Sequence, residues 1–163
     1  SLASPANDVS LADIARLSDV FYIGGTKCGT LFGEAVVIPD GGSIRQFVTQ
    51  MKQHGALLAK GRLLGVQFEA LFEDDLYLTL GAPGVAATKR IREALIRAGY
   101  VVTMDSPTNL TFVALDQAGH ERLSRKVQYG IWETLPDGRL LARFCTSWGT
   151  PEEDIKAFEA ALA

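Results

Sequence analysis

A lysine lies at the centre of the glycine-rich stretch 24–29, between two apolar runs. The runs, residues 20–23 and 35–38, predict two strands joined by a tight turn that presents the amine of Lys27. Burial between such strands removes water from the amine and lowers its pKa. A neutral amine in apolar surroundings is the nucleophile that Schiff-base chemistry needs. The alternative from local chemistry is a hairpin corner with an exposed lysine, which is the more frequent use of such a turn.

Two arginines are further candidates. Arg143 lies in the apolar run 140–144, where a guanidinium is costly unless it is paired, and a carboxylate matches its parallel N–H donors. The partner of Arg143 is either the carboxylate of a bound molecule or Glu133 across a hairpin. The remaining alternative is that the side chain points towards solvent. Arg62 opens an apolar helical stretch, a place that suits anion binding. A surface arginine with its stem along apolar side chains is an equal alternative for Arg62.

Residues 19–29 and 31–35 resemble the cofactor-lysine segment of the threonine aldolase and β-eliminating lyase family. These are pyridoxal 5'-phosphate enzymes of the aspartate aminotransferase fold, called fold type I. The resemblance implies that Lys27 forms the Schiff base with the cofactor and that Thr26 helps to shape the cofactor pocket. Cys28 departs from the asparagine of many relatives, which changes the polarity expected of the pocket but not the role of the lysine.

The same resemblance assigns roles to the two arginines. In the family, an arginine in a strand like that of Arg143, followed by a helix start like residues 150–154, binds the α-carboxylate of the substrate. An arginine at the position of Arg62 reaches the cofactor phosphate, often across a subunit interface. The implied reaction is retro-aldol cleavage of a β-hydroxy-α-amino acid to glycine and an aldehyde. β-Elimination on an aromatic amino acid, with the same lysine, is the alternative.

The resemblance covers only the C-terminal half of these enzymes. Their aspartate against the pyridine nitrogen, their aromatic ring stacked on the cofactor and their phosphate-binding glycine-rich loop have no match in this sequence. The chain also opens with Ser-Leu-Ala and no methionine. We therefore expect a fragment that is inactive alone, from a parent enzyme that is a homo-oligomer, either a dimer or a tetramer.

Composition restricts the class of partner. The formal net charge is −3 and the pI about 5.4, so the chain has no basic excess for nucleic acid. No apolar run approaches the roughly 20 residues of a membrane helix, and no signal-peptide pattern opens the chain. Two cysteines are too few for a disulfide scaffold. These features predict a cytoplasmic protein with a small-molecule amino acid substrate, and without nucleic-acid or membrane partners. His54 and His120 lack neighbours at metal-ligand spacing, so no metal site is predicted.

The predicted fold class is α/β with an α+β small domain. Residues 1–55 are expected to end a large domain with a mostly parallel sheet, in which strands are covered on both faces. Residues 56–163 are expected to contain a connecting helix over 57–72 and a small domain. From residue 85 the pattern predicts helix, strand, strand, helix, strand, strand and helix. This order suits helices packed on one face of a mainly antiparallel sheet.

Several helix starts are predicted from capping residues. Ser10 and Asp13 match a capping box, which places a helix within 7–18. Ser43 is expected to cap a second helix, and Thr150, followed by proline, is expected to cap the last one. Gly99 is expected to close the helix that covers about 85–98.

A non-catalytic α+β ligand-binding or assembly module is the alternative from a different functional class. In that case the apolar stretch 57–72 is an oligomer interface and Lys27 is an exposed corner. The accessibility of Lys27 separates the two hypotheses.

Overall fold

The computed structural model describes residues 2–163, which form two compact units. We call residues 8–79, with Leu2, the hairpin unit, and residues 3–7 with 80–163 the sheet unit. This division falls later in the sequence than the predicted boundary between residues 55 and 56. That boundary concerns the domains of a longer enzyme, and it stays a prediction.

The hairpin unit begins with helix α1, Leu11–Leu17. Its capping box is present as predicted: the Ser10 hydroxyl accepts a hydrogen bond from the Asp13 amide at 3.1 Å, and the Asp13 carboxylate accepts one from the Ser10 amide at 3.0 Å. These bonds satisfy backbone donors that have no partner within the helix. Hydrogen bonds from Ser10 also hold the pKa of the Asp13 carboxyl below its usual value.

Strands β1, Phe21–Gly24, and β2, Glu34–Val37, form an antiparallel hairpin around the lysine turn. The predicted strand–turn–strand pattern is confirmed. Within the described chain these faces are not fully covered, because Tyr22 is 72% exposed and Val36 57% exposed. In the part of the chain that the structure describes the two strands pair only with each other, and their coverage within a larger domain stays a prediction.

Helix α2, Phe47–Gln53, begins later than its predicted cap at Ser43. The Ser43 hydroxyl instead donates to the carbonyl of Asp40 at 2.8 Å and closes a turn. Gln46, immediately before the helix, has left-handed backbone angles. A local side chain–backbone bond therefore competes with helix formation at Ser43.

Helix α3, Arg62–Phe72, is shorter than the predicted stretch 57–72. It is followed by a 3₁₀ turn at Glu73–Asp75 and by a short helix α4 at Leu76–Thr79. Leu71 is the buried residue of α3, and the helix is otherwise largely exposed in this chain.

The sheet unit shows the predicted order of helices and strands. Its sheet is antiparallel with the strand order β3-β4-β6-β5, so the two longest strands, β4 and β6, lie in the centre. The elements are α5, Ala82–Arg97; β3, Val101–Val102; β4, Leu110–Leu115; α6, Gln117–Ser124; β5, Gly130–Thr134; β6, Leu140–Cys145; and α7, Glu152–Leu162.

The core of the sheet unit lies between its helices and one face of the sheet. Alternate residues of the central strands, among them Val113, Ala142 and Phe144, contribute to it, as alternation along a strand requires. Leu95 of α5 and Leu123 of α6 are fully buried there. Arg143 lies between two core residues of β6, so its side chain projects from the opposite face.

The two long helices of the sheet unit have well-defined ends. The amide of Gly99 donates to the carbonyl of Ile96 and that of Tyr100 to the carbonyl of Leu95, both at 3.0 Å, which is the predicted glycine-terminated end of α5. Gly99 has a φ of +84°, which glycine adopts without strain. Helix α7 begins one residue later than predicted, with Pro151 at the N-cap. In the described residues no helix combines the length and apolarity needed to cross a membrane.

Candidate functional site

The lysine turn is held by its own backbone and by close packing. The amides of Cys28 and Thr30 both donate to the carbonyl of Gly25, at 2.8 and 3.1 Å. A Cβ on Gly25 would lie 2.4 Å from the Thr30 hydroxyl oxygen and 2.9 Å from the ring of Phe68. Residue 25 is therefore glycine because the turn packs directly against helix α3.

Two side chains from the following helices fix the ends of the hairpin loop. The side-chain carbonyl of Gln67 accepts a hydrogen bond from the Leu31 amide at 2.8 Å. The Tyr77 hydroxyl lies 3.3 Å from the carbonyl of Gly24, to which it donates. Burial, with a smaller contribution from the neighbouring Cys28, raises the pKa of Tyr77, so the phenol keeps the proton that it donates at neutral pH.

Neither of these two contacts was predicted from the sequence. For Gln67 a signal exists, because it is a polar residue inside an apolar helical stretch. Tyr77 has no such signal, since nothing local relates it to a carbonyl more than fifty positions earlier.

The side chain of Lys27 is exposed at the tip of this turn. Within residues 2–163 its amine forms no ion pair. The expected partial burial of Lys27 is therefore wrong for this chain, because the flanking strands are themselves open to solvent. Thr26 is also exposed, and so is Arg62, the first residue of α3. The hairpin unit thus presents an amine, a hydroxyl and a guanidinium that are all accessible.

Arg143 lies in the middle of β6 and makes no ion pair with any described carboxylate. The predicted alternative, a pair with Glu133, is not formed, because Glu133 lies opposite Leu141 in the sheet register. The guanidinium carbon instead lies 4.7 Å from the centre of the Trp132 ring. Arg143 therefore has a cation–π contact and no fixed anion partner.

Arg143 borders a cleft of about 390 Å³ in the sheet unit, which is a volume suited to a small ligand. Tyr129, Thr150 and Asp154 are among the other residues that line it. Phe144 and Ile155, which belong to the core, line the same cleft, whereas the side chain of Arg143 projects from the opposite face of the sheet. A second cleft of about 520 Å³ has the basic lining Arg97, Arg122, Arg125 and Lys126 and contains none of the predicted site residues.

The end of strand β6 is fixed by buried hydroxyl groups. The Thr146 hydroxyl donates to the carbonyl of Gly84 at 2.5 Å and lies 2.6 Å from the hydroxyl of Thr88. Since the Thr146 proton is used in the first bond, Thr88 is the donor in the second. A Cβ on Gly84 would lie 3.1 Å from the backbone of Ser147, so this end of the strand packs tightly on α5.

The predicted site residues are divided between the two units. Lys27, Thr26 and Arg62 belong to the hairpin unit and Arg143 to the sheet unit. Each is solvent-accessible, and their assigned roles stay predictions. In residues 2–163, no group of three or more side chains is placed to bind a metal ion.

Comparisons with known proteins identify relatives of this chain. A search of protein-family models gave no match. The chain is 27% identical over 139 residues to a low specificity L-threonine aldolase of Pseudomonas aeruginosa, and 27% identical over 145 residues to one from another Pseudomonas. These alignments cover 85% and 88% of this chain but only 39% and 41% of the relatives.

Solved structures give the same relationship. A Leishmania major threonine aldolase matches 99% of this chain, with 40% identity and a TM-score of 0.87, over 47% of its own length. A serine palmitoyltransferase of Sphingomonas wittichii matches 88% of the chain, with 16% identity and a TM-score of 0.57, over 39% of its length. The second match concerns the fold alone. Together the matches confirm the resemblance to threonine aldolases and the mixed α/β fold class, and they show that the chain spans less than half the length of these relatives.

Proposed function

We propose that this chain, which is related in sequence and fold to the threonine aldolases, is part of a pyridoxal-phosphate-dependent lyase of that type. The observation that carries this proposal is the Leishmania match, which covers nearly the whole chain at 40% identity. The parent reaction is retro-aldol cleavage of a β-hydroxy-α-amino acid to glycine and an aldehyde. The relatives that were found are named threonine aldolases, which favours this reaction over β-elimination.

The accessible groups of the hairpin unit fit the cofactor by their chemistry. The amine of Lys27 would bond to its aldehyde carbon as a Schiff base, the side chain of Thr26 would help to shape its pocket, and the guanidinium of Arg62 would contact its phosphate. When bound, pyridoxal phosphate supplies the electron sink for the bond that is cleaved. The described structure supports the fit because the Lys27 amine has no ion-pair partner among residues 2–163 to displace.

The roles of Lys27 and Arg143 follow from their functional groups. With the cofactor bound, the amine of Lys27 would be the group that accepts a proton from the substrate and returns it. The guanidinium of Arg143 binds the α-carboxylate through two parallel N–H donors. A substrate fixed at its carboxylate would be held in one orientation towards the bound cofactor, and this orientation would select the bond that breaks.

We propose that the parent protein works in the cytoplasm as a homo-oligomer. The support is the exposed apolar surface of the hairpin unit, which includes Leu31, Val36, Leu63 and Val66 and is of a kind that other protein surfaces usually cover.

The experiment that tests the proposal is borohydride trapping with pyridoxal phosphate on the full-length protein that contains this chain, followed by peptide mapping. We expect a pyridoxyl adduct at Lys27 and its loss in Lys27→Arg, which keeps the positive charge. Lys60→Arg, at another exposed lysine, is the matched control and should keep the adduct. Aldol cleavage should fall by roughly 10²–10⁴-fold or more in Lys27→Arg, since a proton-transfer group is removed.

A non-catalytic binding or assembly module is the second candidate, and the exposure of Lys27 in this chain favours it. In that case the label spreads over several lysines, and Lys27→Arg labels like the parent protein. That result would overturn the enzyme proposal.

A further inference from the structure

Arg143 and Trp132 lie together on the face of the sheet that points away from the hydrophobic core. The guanidinium carbon is 4.7 Å from the indole centre, within the range of a cation–π contact. From this contact, and resting on the proposed function, we propose that Trp132 is a positioning residue. It holds the guanidinium of Arg143 in the orientation that receives the substrate carboxylate.

The local strand geometry explains how Trp132 reaches Arg143. The residue directly opposite Arg143 on β5 is Gly130, which has no side chain to occupy the space beside it. Strand β5 has a register irregularity between Ile131 and Glu133, at the position of Trp132. The irregularity shifts the residues that follow it, so that Glu133 lies opposite Leu141. Trp132 is two residues from Gly130, so its side chain lies on the same face as that of Arg143. The indole is thereby brought to the guanidinium from the next position along this face.

A ring on β4, the strand on the other side of β6, holds the indole as well. Phe112 of β4 lies directly opposite Arg143, and its ring packs edge-on against Trp132 with the ring centres 6.0 Å apart. Aromatic pairs of this geometry have a preferred orientation, because the edge of one ring is attracted to the face of the other. The three side chains therefore fix each other, and a flexible arginine becomes ordered before any ligand binds.

A cation–π contact suits this role better than an ion pair. A carboxylate partner would occupy the guanidinium N–H groups, which all lie in the plane of the group. An aromatic ring contacts the face of the guanidinium and leaves its in-plane donors free. Arg143 has no ion pair among the described residues, as this role requires. Ordering the side chain in advance reduces the entropy that carboxylate binding would otherwise cost.

The test compares Trp132→Phe with Trp132→Leu in the full-length holoenzyme that contains this chain. Leucine is apolar but has no ring face, and Trp132 is 56% exposed, so neither change disturbs the core. We expect Trp132→Leu to raise the KM for the amino acid by about 3- to 30-fold, which corresponds to roughly 0.7–2 kcal/mol, with kcat within about twofold. Trp132→Phe should restore most of the affinity. A purely structural role would instead reduce the amount of active enzyme and the Tm and leave KM unchanged.

Arg143→Lys separates this proposal from the proposed function. If Arg143→Lys raises KM strongly while Trp132→Leu behaves like Trp132→Phe, the positioning role is overturned and the carboxylate role of Arg143 stands. If Arg143→Lys leaves KM unchanged, the carboxylate role falls, and the positioning proposal falls with it.

A second measurement needs no activity. In the 163-residue chain, the Nε–H proton of Arg143 should show an upfield NMR shift from the indole ring current. We expect Trp132→Leu to remove this shift and Trp132→Phe to keep part of it. An unshifted proton in the unchanged chain would contradict the contact itself.

Discussion

The two units of this chain differ in how they bury apolar side chains. In the sheet unit, helices and strands enclose one contiguous core that includes the fully buried Leu95, Val113 and Leu123. In the hairpin unit, Ile23 and Leu71 are the buried large apolar residues among those described. Large apolar side chains such as Leu31 and Leu63 remain exposed there.

The difference shows that two units with a similar apolar content can bury their apolar side chains to different extents. A sheet with helices on one face can bury its own hydrophobic surface, whereas a two-stranded hairpin beside short helices has too few layers to do so. The hairpin unit contains the lysine turn, and the sheet unit contains Arg143. We therefore expect Arg143 to lie on a stable support, and the geometry of Lys27 to depend more on whatever covers the hairpin unit in the parent protein.

The largest expected effect comes from equivalent leucines in the two units. Leu95→Ala in α5 removes a side chain that is 0% exposed and should lower the free energy of unfolding by about 2–5 kcal/mol. Leu63→Ala in α3, where the side chain is 55% exposed, should change it by less than about 0.5 kcal/mol. Urea unfolding followed by circular dichroism measures both. Equal losses at the two positions would mean that the units do not differ in packing.

An intermediate effect is expected from two adjacent glycines of the hairpin unit. Gly25→Ala places a Cβ in contact with Thr30 and Phe68 and should destabilise the hairpin by about 1–3 kcal/mol. Gly24→Ala is the matched control, because a Cβ there has no neighbour within 4 Å, and we expect a change below about 0.5 kcal/mol. Amide hydrogen exchange in β1 and β2 is the measurement. If both variants exchange alike, the lysine turn is not held by packing on α3.

The smallest expected effect is a pH dependence that distinguishes the units. In the sheet unit, Arg90 joins α5 to α7 through Glu152 at 2.8 Å and Glu159 at 2.7 Å. Its hydrogen bonds hold the pKa of both carboxyl groups below the usual value. As the pH falls, these two carboxyl groups are therefore protonated first in the unfolded chain. The contribution of the ion pairs to the free energy of unfolding is present at neutral pH and lost in acid.

Arg90→Gln tests this contribution. We expect it to lower the Tm at pH 7 and to make little difference at a pH well below the ordinary glutamate pKa. Arg16→Gln in the hairpin unit is the control. The pKa of its partner Asp13 is lowered mainly by Ser10, so the pH dependence should hardly change. A constant Tm difference between Arg90→Gln and the parent chain at every pH would exclude the ion pairs as its cause.

Local features of the sequence predicted much of the fold. The capping box of Ser10 and Asp13, the glycine end of α5 at Gly99 and the order of elements after residue 85 all occur as expected. Each of these features depends on residues within a few positions of each other, so it can be recognised from a short stretch of sequence. The predicted helix caps at Ser43 and Thr150 were wrong because each hydroxyl group forms another local hydrogen bond. The Ser43 hydroxyl bonds to Asp40, and the Thr150 hydroxyl bonds to Ser147.

The candidate site was predicted only in part. The turn that carries Lys27 and the strand that carries Arg143 follow from composition and apolar pattern. The exposure of Lys27 does not, because it depends on what covers β1 and β2. The roles of Gln67 and Tyr77 in holding the turn were also missed, since each joins residues far apart in sequence.

The sequence alone determined which residue types are available for chemistry and which short segments form helices and strands, because those depend on local propensity and periodicity. The tertiary structure decided which neighbour each reactive group has. Arg143 contacts Trp132 and not Glu133, because cross-strand register and a local irregularity in β5 set the pairing. The register and the irregularity both depend on how segments distant in sequence align. The residues next to a charged side chain in a strand do not reveal that alignment.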